Sequence, residues 1–297
     1  MKRAIRGLGW LLAAACAALL AASFAGPLHG AGDALAVLRW QLAAGLAGLA
    51  LLLRALAARR ALWLVLAAAL SVAPVGWAWL RPQPAPPPPG VTLYQKNLLF
   101  RLADPAPLLA DIRAAAPDVL TLQEVTPRHR AILQALDDIL PTRLWCPFAP
   151  VGGVAVASRW PAIPGTETCG GGDGYAAVRV RTPDGPLWLV SVHLHWPWPR
   201  IQPAQVSRIV PVLRAMDGPV LMGGDFNMVP WGHAVRRLAR AARLGRIGRA
   251  HNSFPRFGPL APLPIDLVFG PAGSTGTTWR RPLLGSDHHG ILARIGL

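Results

Sequence analysis

The stretch Gly223-Gly224-Asp225-Phe226-Asn227 ends an apolar run with two glycines, a carboxylate and a carboxamide. Polar residues of this kind recur at the ends of β-rich runs: Asn97 in YQKNLL, Glu124 in TLQEV, His193 in SVHLHW, Asp266 in PIDLVF, and Asp287 with His288 in GSDHHG. Carboxylates and carboxamides together suit a hard, oxygen-liganded cation, Mg²⁺ with Mn²⁺ as a substitute. Two histidines and an aspartate add groups for moving protons. Residues two apart in an extended segment point the same way, so the spacing predicts that Asp225 and Asn227 face one phosphate. The two glycines let backbone approach without a Cβ. For this pair taken alone, capping a turn is the competing reading.

The elements that carry these residues alternate between short β-rich runs and helical stretches. Residues 91–100, 118–125, 152–159, 175–182, 186–196, 219–226, 264–270 and 290–297 read as strands. Residues 105–115, with apolar positions at 108, 109 and 112, read as a helix, as do 203–215 and 232–244. Strands with intervening helices predict one α/β domain over 91–297. Open α/β sheets collect ligands in the crevice at their strand ends, where the polar residues fall.

QE at 123–124, GDFN at 224–227 and SDH at 286–288, in this order and with GGVAVASRWP between them, resemble the endonuclease/exonuclease/phosphatase (DNase I-like) superfamily. The resemblance covers about 91–297 and implies a four-layer α/β sandwich of two packed mixed sheets. It implies metal ligation by Glu124, with Asn97 and Asp287 close by. Asp225 would orient or deprotonate the attacking water, and Asn227 would hold a phosphate oxygen. Asp266 would fix and polarise His288 against the scissile phosphate, with His193 as the second histidine. The reaction implied is in-line attack on phosphorus, driven by positioning and charge neutralisation by one or two metals. Leu267 departs from the family, which often carries a histidine after this aspartate. His195, His251 and His289 match no motif.

The first 90 residues have a different composition. Runs 8–28, 35–57 and 61–80 are apolar and each is near the ~20 residues needed to cross a bilayer, so residues 1–80 read as a membrane anchor with three transmembrane helices. Arg39 and Arg54 stand near the ends of the second run, where long side chains reach the headgroups. Lys2, Arg3 and Arg6, with Arg54, Arg59 and Arg60, put the N-terminus and the second connection in the cytoplasm and everything after Leu80 outside. A cleaved signal peptide ending near Ser23-Phe24-Ala25 is the rival reading and leaves the same placement. Residues 81–90, RPQPAPPPPG, read as a semi-rigid linker holding the following domain off the membrane. The expected location is the inner (cell) membrane, multi-pass, with the catalytic domain on the periplasmic or extracellular side.

The net charge is +16, and 28 of the 30 basic residues are arginine. A basic surface favours anionic partners, although the arginine excess also fits a compositional bias. Three cysteines are too few for a disulfide scaffold and show no zinc spacing. Cys146 and Cys169 lie in the soluble part and have the option of pairing outside the cytoplasm. Trp196, Trp198 and Arg200 follow His193 closely and are expected to rim a substrate site, tryptophan favouring the bilayer interface. Arginines at 236, 237, 240, 243, 246 and 249 form a stripe suited to anionic headgroups or to solvent. The three-span anchor followed by an external domain also resembles the membrane-bound branch of the superfamily linked to teicoplanin resistance, which implies an envelope-lipid substrate. The expected activity is a membrane-anchored, Mg²⁺-dependent phosphatase or phosphodiesterase working at the lipid bilayer. An external nuclease acting on DNA or RNA is the alternative, followed by a non-catalytic binding module. No protein partner is inferable. The complete motif set argues against a pseudo-enzyme, and the lack of an internal acid in the spans argues against a transporter.

Overall fold

The structure, a computed structural model, describes residues 2–56, 58–85 and 90–297. Residue 57, at the end of the second apolar run, and residues 86–89 of the linker lie outside the described residues.

Two six-stranded mixed sheets form the centre of the region from residue 91 onward. The first contains β1 (Val91–Asn97), β2 (Val119–Val125), β3 (Thr142–Ala149), β4 (Gly152–Ser158), β11 (Thr275–Arg280) and β12 (Ile291–Gly296), in the order β11-β12-β1-β2-β4-β3. The second contains β5 (Thr168–Cys169), β6 (Tyr175–Thr182), β7 (Gly185–His193), β8 (Val220–Asp225), β9 (Leu244–Arg246) and β10 (Asp266–Pro271), in the order β5-β6-β7-β8-β10-β9. Each has a parallel pair, β1 with β2 and β7 with β8, inside otherwise antiparallel pairing. Leu93, Val154, Val178, Leu189, Leu221 and Val268 fill the space between the sheets.

Helices cover both outer faces, which completes four layers. On the first sheet lie α5 (Ala106–Ala115) and α6 (Arg130–Gln134). Leu108 and Ile112 of α5 are fully buried, each contributing roughly 1.5–3 kcal/mol of burial. On the second sheet lie α7 (Gln202–Ala215) and α8 (His233–Ala241). The strands that the sequence pattern does not reveal are edges or very short: β3 and β11 end the first sheet, β5 and β9 the second. An edge strand needs no continuous apolar run, and β3 even accommodates an exposed Pro147. A disulfide between Cys146 on β3 and Cys169 on β5 joins the edges of the two sheets.

The apolar N-terminal region consists of α1 (Lys2–Ala22), α2 (Gly30–Val37), α3 (Arg39–Ala55) and α4 (Leu62–Leu80). Two of its helices are long and apolar enough to cross a membrane, or three if the bent pair α2–α3 is counted as one. The expected second span is therefore not one straight helix. Its first part, α2, turns 68° away from α3 and packs against the two-sheet domain. Trp231 Nε1 donates to the Ala36 carbonyl at 2.7 Å, and Val37 packs on Phe254, Leu263 and Ile265.

The described part of the linker does not stand off from the domain as expected. Ala250 N–H donates to the Ala78 carbonyl of α4, and Arg81 donates to the Arg246 carbonyl. The Gln83 side-chain oxygen accepts from the backbone N–H groups of Arg249 and Thr278.

Asp33 links the apolar N-terminal region to the two-sheet domain. Helix α8 begins after Gly232, which has no side chain to cap its first N–H groups. The buried Asp33 carboxylate does so from α2, accepting from His233 N–H at 2.5 Å and Ala234 N–H at 2.8 Å. Replacing Asp33 with Ala is expected to destabilise the full chain by about 1–2 kcal/mol, with Asp33→Asn losing less. Equilibrium unfolding in detergent checks this, and an unchanged stability contradicts the cap.

Candidate active site

The register of the second sheet sets three polar residues side by side. His193 on β7 pairs with Asp225 on β8, and Asp225 pairs with Asp266 on β10. The first sheet meets them from the other side with Asn97 at the end of β1 and Glu124 near the end of β2. Gln95 Nε2 donates to Asp266 Oδ1 at 2.8 Å and to Gln123 Oε1 at 3.1 Å, and so ties the sheets together beneath the site. The sheets approach this closely because Gly223 has no side chain. A Cβ there would lie 2.5 Å from Thr121 Oγ1 on the opposite sheet.

Glu124 is aimed by a bulge. The β2–β4 register shifts between Gln123 and Val125, and Glu124 takes a left-handed φ of 57°. A non-glycine residue held there stores about 1–3 kcal/mol, and bulges of this kind re-aim side chains at functional sites. Gly152 leaves the necessary room, since a Cβ on it would lie 2.8 Å from the Glu124 carbonyl carbon. Glu124 Oε2 accepts from Phe100 N–H at 2.7 Å, and Oε1 accepts from Asn97 Nδ2 at 3.2 Å.

Asp225 and Asn227 do face one site, but an extended backbone is not the reason. The strand ends at Asp225, Asn227 has a φ of 44°, and its N–H donates to Asp225 Oδ1 at 2.8 Å. This is a side-chain turn that swings Asn227 back beside Asp225. Asn227 Nδ2 then donates to the Leu194 carbonyl at 2.7 Å and lies 3.4 Å from His193 Nε2.

The 282–288 loop supplies the remaining residues. Ser286 Oγ donates to the Asn97 carbonyl at 2.8 Å and accepts from His288 N–H at 3.0 Å. His288 Nδ1 donates to Asp266 Oδ2 at 2.8 Å. Lys96, buried beneath the loop, donates to the carbonyls of Pro282, Leu283 and His288 at 3.2, 2.7 and 2.6 Å. Sequence reasoning passed over Lys96. Its signal was being the only lysine after residue 90 in an arginine-rich chain, next to Asn97.

Glu124, His193, Asp225, Asn227, Asp287 and His288 line one cavity of about 410 Å³. Phe148, His195, Trp196, Phe254 and Arg256 continue its wall. Of the expected rim, Trp196 lines the cavity. Trp198 packs on His29 of the apolar N-terminal region with ring centroids 5.9 Å apart, and Arg200 is exposed away from the lining.

Burial and charge set the protonation states. Burial pushes His193 down to about 3, with the charge of His288 in the same sense, so its ring is neutral at ordinary pH. Burial also opposes charge on His288, but Asp266 and Asp225 overcome it and hold this ring up to about 9, an imidazolium. Asp225 Oδ2 sits between them, 3.6 Å from His193 Nε2 and 3.7 Å from His288 Nε2. Burial pushes the Asp225 carboxyl up, which makes it a better proton acceptor than an exposed carboxylate. Burial raises Glu124 too, and the charge of the neighbouring Asp287 adds to this.

Two parts of the site have the chemistry to hold a cation. Ligand-type atoms of Asp225, Asp266 and His288 lie within 4.8 Å of one another. Both Asp266 oxygens are taken, however, one by Gln95 and one by the His288 ring that it holds protonated. The Glu124–Asp287 side fits better: two like-charged carboxylates share a wall of the cavity, and one is raised by burial. A hard divalent cation compensates that arrangement. Asn97 as placed turns its Nδ2 to Glu124 and Asp225, while its Oδ1 accepts from Leu99 N–H at 2.9 Å, so here it orients carboxylates.

The Asp266–His288 pair carries a pH signature. Its stabilisation is complete below 6.5, the ordinary value of the ring, and is lost as pH rises through about 9. A histidine NMR titration of the metal-free full chain is expected to give His288 a midpoint near 9 and to move it toward 6.5 in Asp266→Asn. An unmoved midpoint contradicts the pairing.

Known proteins resemble the chain in fold and in sequence family. An endonuclease/exonuclease/phosphatase family protein from Leptotrichia buccalis C-1013-b superposes with a TM-score of 0.54 at 14% identity, over 70% of this chain and 100% of the other. A humanized D. rerio TDP2 carrying 14 mutations gives 0.53 at 16%, over 70% and 99%. A family protein from Bacteroides thetaiotaomicron gives 0.50 at 12%, over 71% and 96%. No curated protein matches the sequence. The sequence model of the Endonuclease/Exonuclease/phosphatase family matches residues 95–288, well over half of the chain, and the protein belongs to that family.

Proposed function

We propose that the protein is a membrane-anchored, divalent-metal-dependent phosphoesterase that hydrolyses a phosphate ester or pyrophosphate of an envelope lipid outside the cytoplasm. The observation that carries this reading is the rim of the cavity. Trp196 lines the cavity and is exposed, the exposed Phe257 packs on Phe254 of the lining, and Trp198, outside the lining, packs on His29 of the N-terminal region. Exposed apolar side chains grouped beside a site mark contact with hydrocarbon or with an apolar partner. A groove for a nucleic-acid backbone would be expected to present several cations, and among the described residues Arg256 is the only lysine or arginine in the lining. The Cys146–Cys169 bond and the arginine-rich N-terminal and second-connection segments support the extracytoplasmic placement.

Glu124, oriented by Asn97, and Asp287 are the residues that would hold Mg²⁺ or Mn²⁺. The ion would neutralise charge on the phosphoryl oxygens. Asp225 takes a proton from the attacking water, in keeping with its raised affinity for protons. The amide of Asn227 directs a phosphate oxygen. His288, kept charged by Asp266, donates to the developing negative charge from its Nε2. Neutral His193 lies on the opposite side of Asp225 and serves the phosphoryl oxygens or the leaving oxygen.

The test uses the full chain in nanodiscs with Mg²⁺. Phosphate release from an isoprenyl pyrophosphate and nicking of supercoiled plasmid are followed in parallel. Lipid turnover is expected, falling about 10²–10⁴-fold in Asp225→Ala. Nicking without lipid turnover, lost in the same variant, would make the protein an external nuclease. Neither activity in a folded chain would favour a binding module.

A further inference from the structure

Three arginines without a carboxylate partner meet where α4 docks on the catalytic domain. Arg81 just beyond α4, Arg236 on α8 and Arg246 on β9 line a cavity of about 190 Å³, together with Trp77 and Trp231. It shares no lining residue with the catalytic cavity. Among the described residues none of the three is in an ion pair. Their contacts are to neutral groups: Arg81 donates to the Arg246 carbonyl at 2.8 Å, and Arg246 donates to the Ala78 carbonyl at 3.2 Å. Arg236 Nε is buried with no acceptor at all. Asp33 is the acid beside Arg236, and it already accepts from two N–H groups of α8.

Like charges brought together out of water are costly unless an anion joins them. Burial lowers the affinity of all three arginines for their protons, and Arg81 adds to this at Arg246, yet each stays a cation at neutral pH. The guanidinium fork matches a phosphate better than any other common anion except a carboxylate. The fold has also selected these arginines from the sequence stripe. Arg237 donates to Ser207 Oγ, Arg243 to the Met216 carbonyl, and Arg240 faces solvent, whereas Arg236 and Arg246 turn inward to meet Arg81.

We infer that this cavity is a second, non-catalytic site for a phosphate group, supplied by the headgroup of an anionic phospholipid. The lipid source follows from the position. The cavity opens at the end of α4, one of the helices able to span a membrane, beside Trp77, which is 64% exposed. A tryptophan at a helix end sits at headgroup depth. A phosphate bound there bridges α4, α8 and β9, and so fastens the catalytic domain to its anchor.

The experiment measures thermal unfolding of the full chain in a neutral detergent with phosphatidylglycerol, phosphatidylcholine or inorganic phosphate added. Phosphatidylglycerol is expected to raise the transition by about 2–4 °C, and phosphatidylcholine to leave it unchanged. R236Q and R81Q, made singly, are expected to abolish the rise, while R240Q on the same helix retains it. Native mass spectrometry counts bound lipid on the same samples, so a variant that merely starts less stable is separated from one that has lost the site. An equal rise with inorganic phosphate keeps the anion site and overturns its lipid source. No rise with any anion, or a full rise in R236Q, overturns the site itself.

Discussion

The hydrogen bond from Gln95 to Asp266 is the contact on which the site depends. It crosses from one sheet to the other in a fully buried layer, where an unpaired carboxylate or amide would be expensive. Asn97 and Glu124 belong to the first sheet, His193, Asp225 and Asp266 to the second, so no chemistry is possible unless the sheets close at this end. Gly223 allows the closure by leaving space against Thr121, and Gln95 fixes it. The same bond occupies one oxygen of Asp266 and leaves the other for His288. A sheet-to-sheet clamp is thereby also the device that fixes the orientation of the His288 imidazolium.

Burial then divides two chemically identical rings. His193 and His288 flank one carboxylate oxygen at nearly equal distances, yet one is neutral and the other charged. The difference is the partner on the far nitrogen. His288 Nδ1 has Asp266, while His193 Nδ1 is buried without an acceptor. Desolvation acts on both, and only an adjacent anion reverses it. Glu124 and Asp287 add two further carboxylates to the same cavity wall, and a divalent ion there would balance their charge.

The apolar N-terminal region is part of this folded unit. Asp33 caps a helix of the two-sheet domain, Ala36 accepts from Trp231, and the end of α4 with the segment after it bonds to the backbone of residues 246–250. Each contact is modest alone, but together they fix the orientation of the domain relative to the apolar helices. The exposed Trp196 and the arginine cavity therefore keep set positions with respect to α4 and are not free to sample the solvent on a loose tether.

How much was legible in the sequence follows from whether the signal was local. Asn97, Glu124, His193 and Asp225 stood out because polar residues that close buried apolar strands break a simple pattern, while Asp266 at the start of β10 and His288 in a loop stood out through motifs that occur in a fixed order. The layered α/β architecture followed from alternating periodicities. The edge strands β3 and β11 were not readable, since half-exposed strands lack a continuous apolar run. The bend between α2 and α3 was hidden too, because composition records apolarity and carries no direction. Gln95, Lys96 and Asp33 look like ordinary polar residues in the sequence. Their roles come from partners 171, 192 and 200 positions away, and only the folded chain brings such partners together. Residue types and their order already name the side chains able to do the chemistry; which of them share a site, and which carry a charge there, depends on packing, because contact and desolvation exist only in the folded chain.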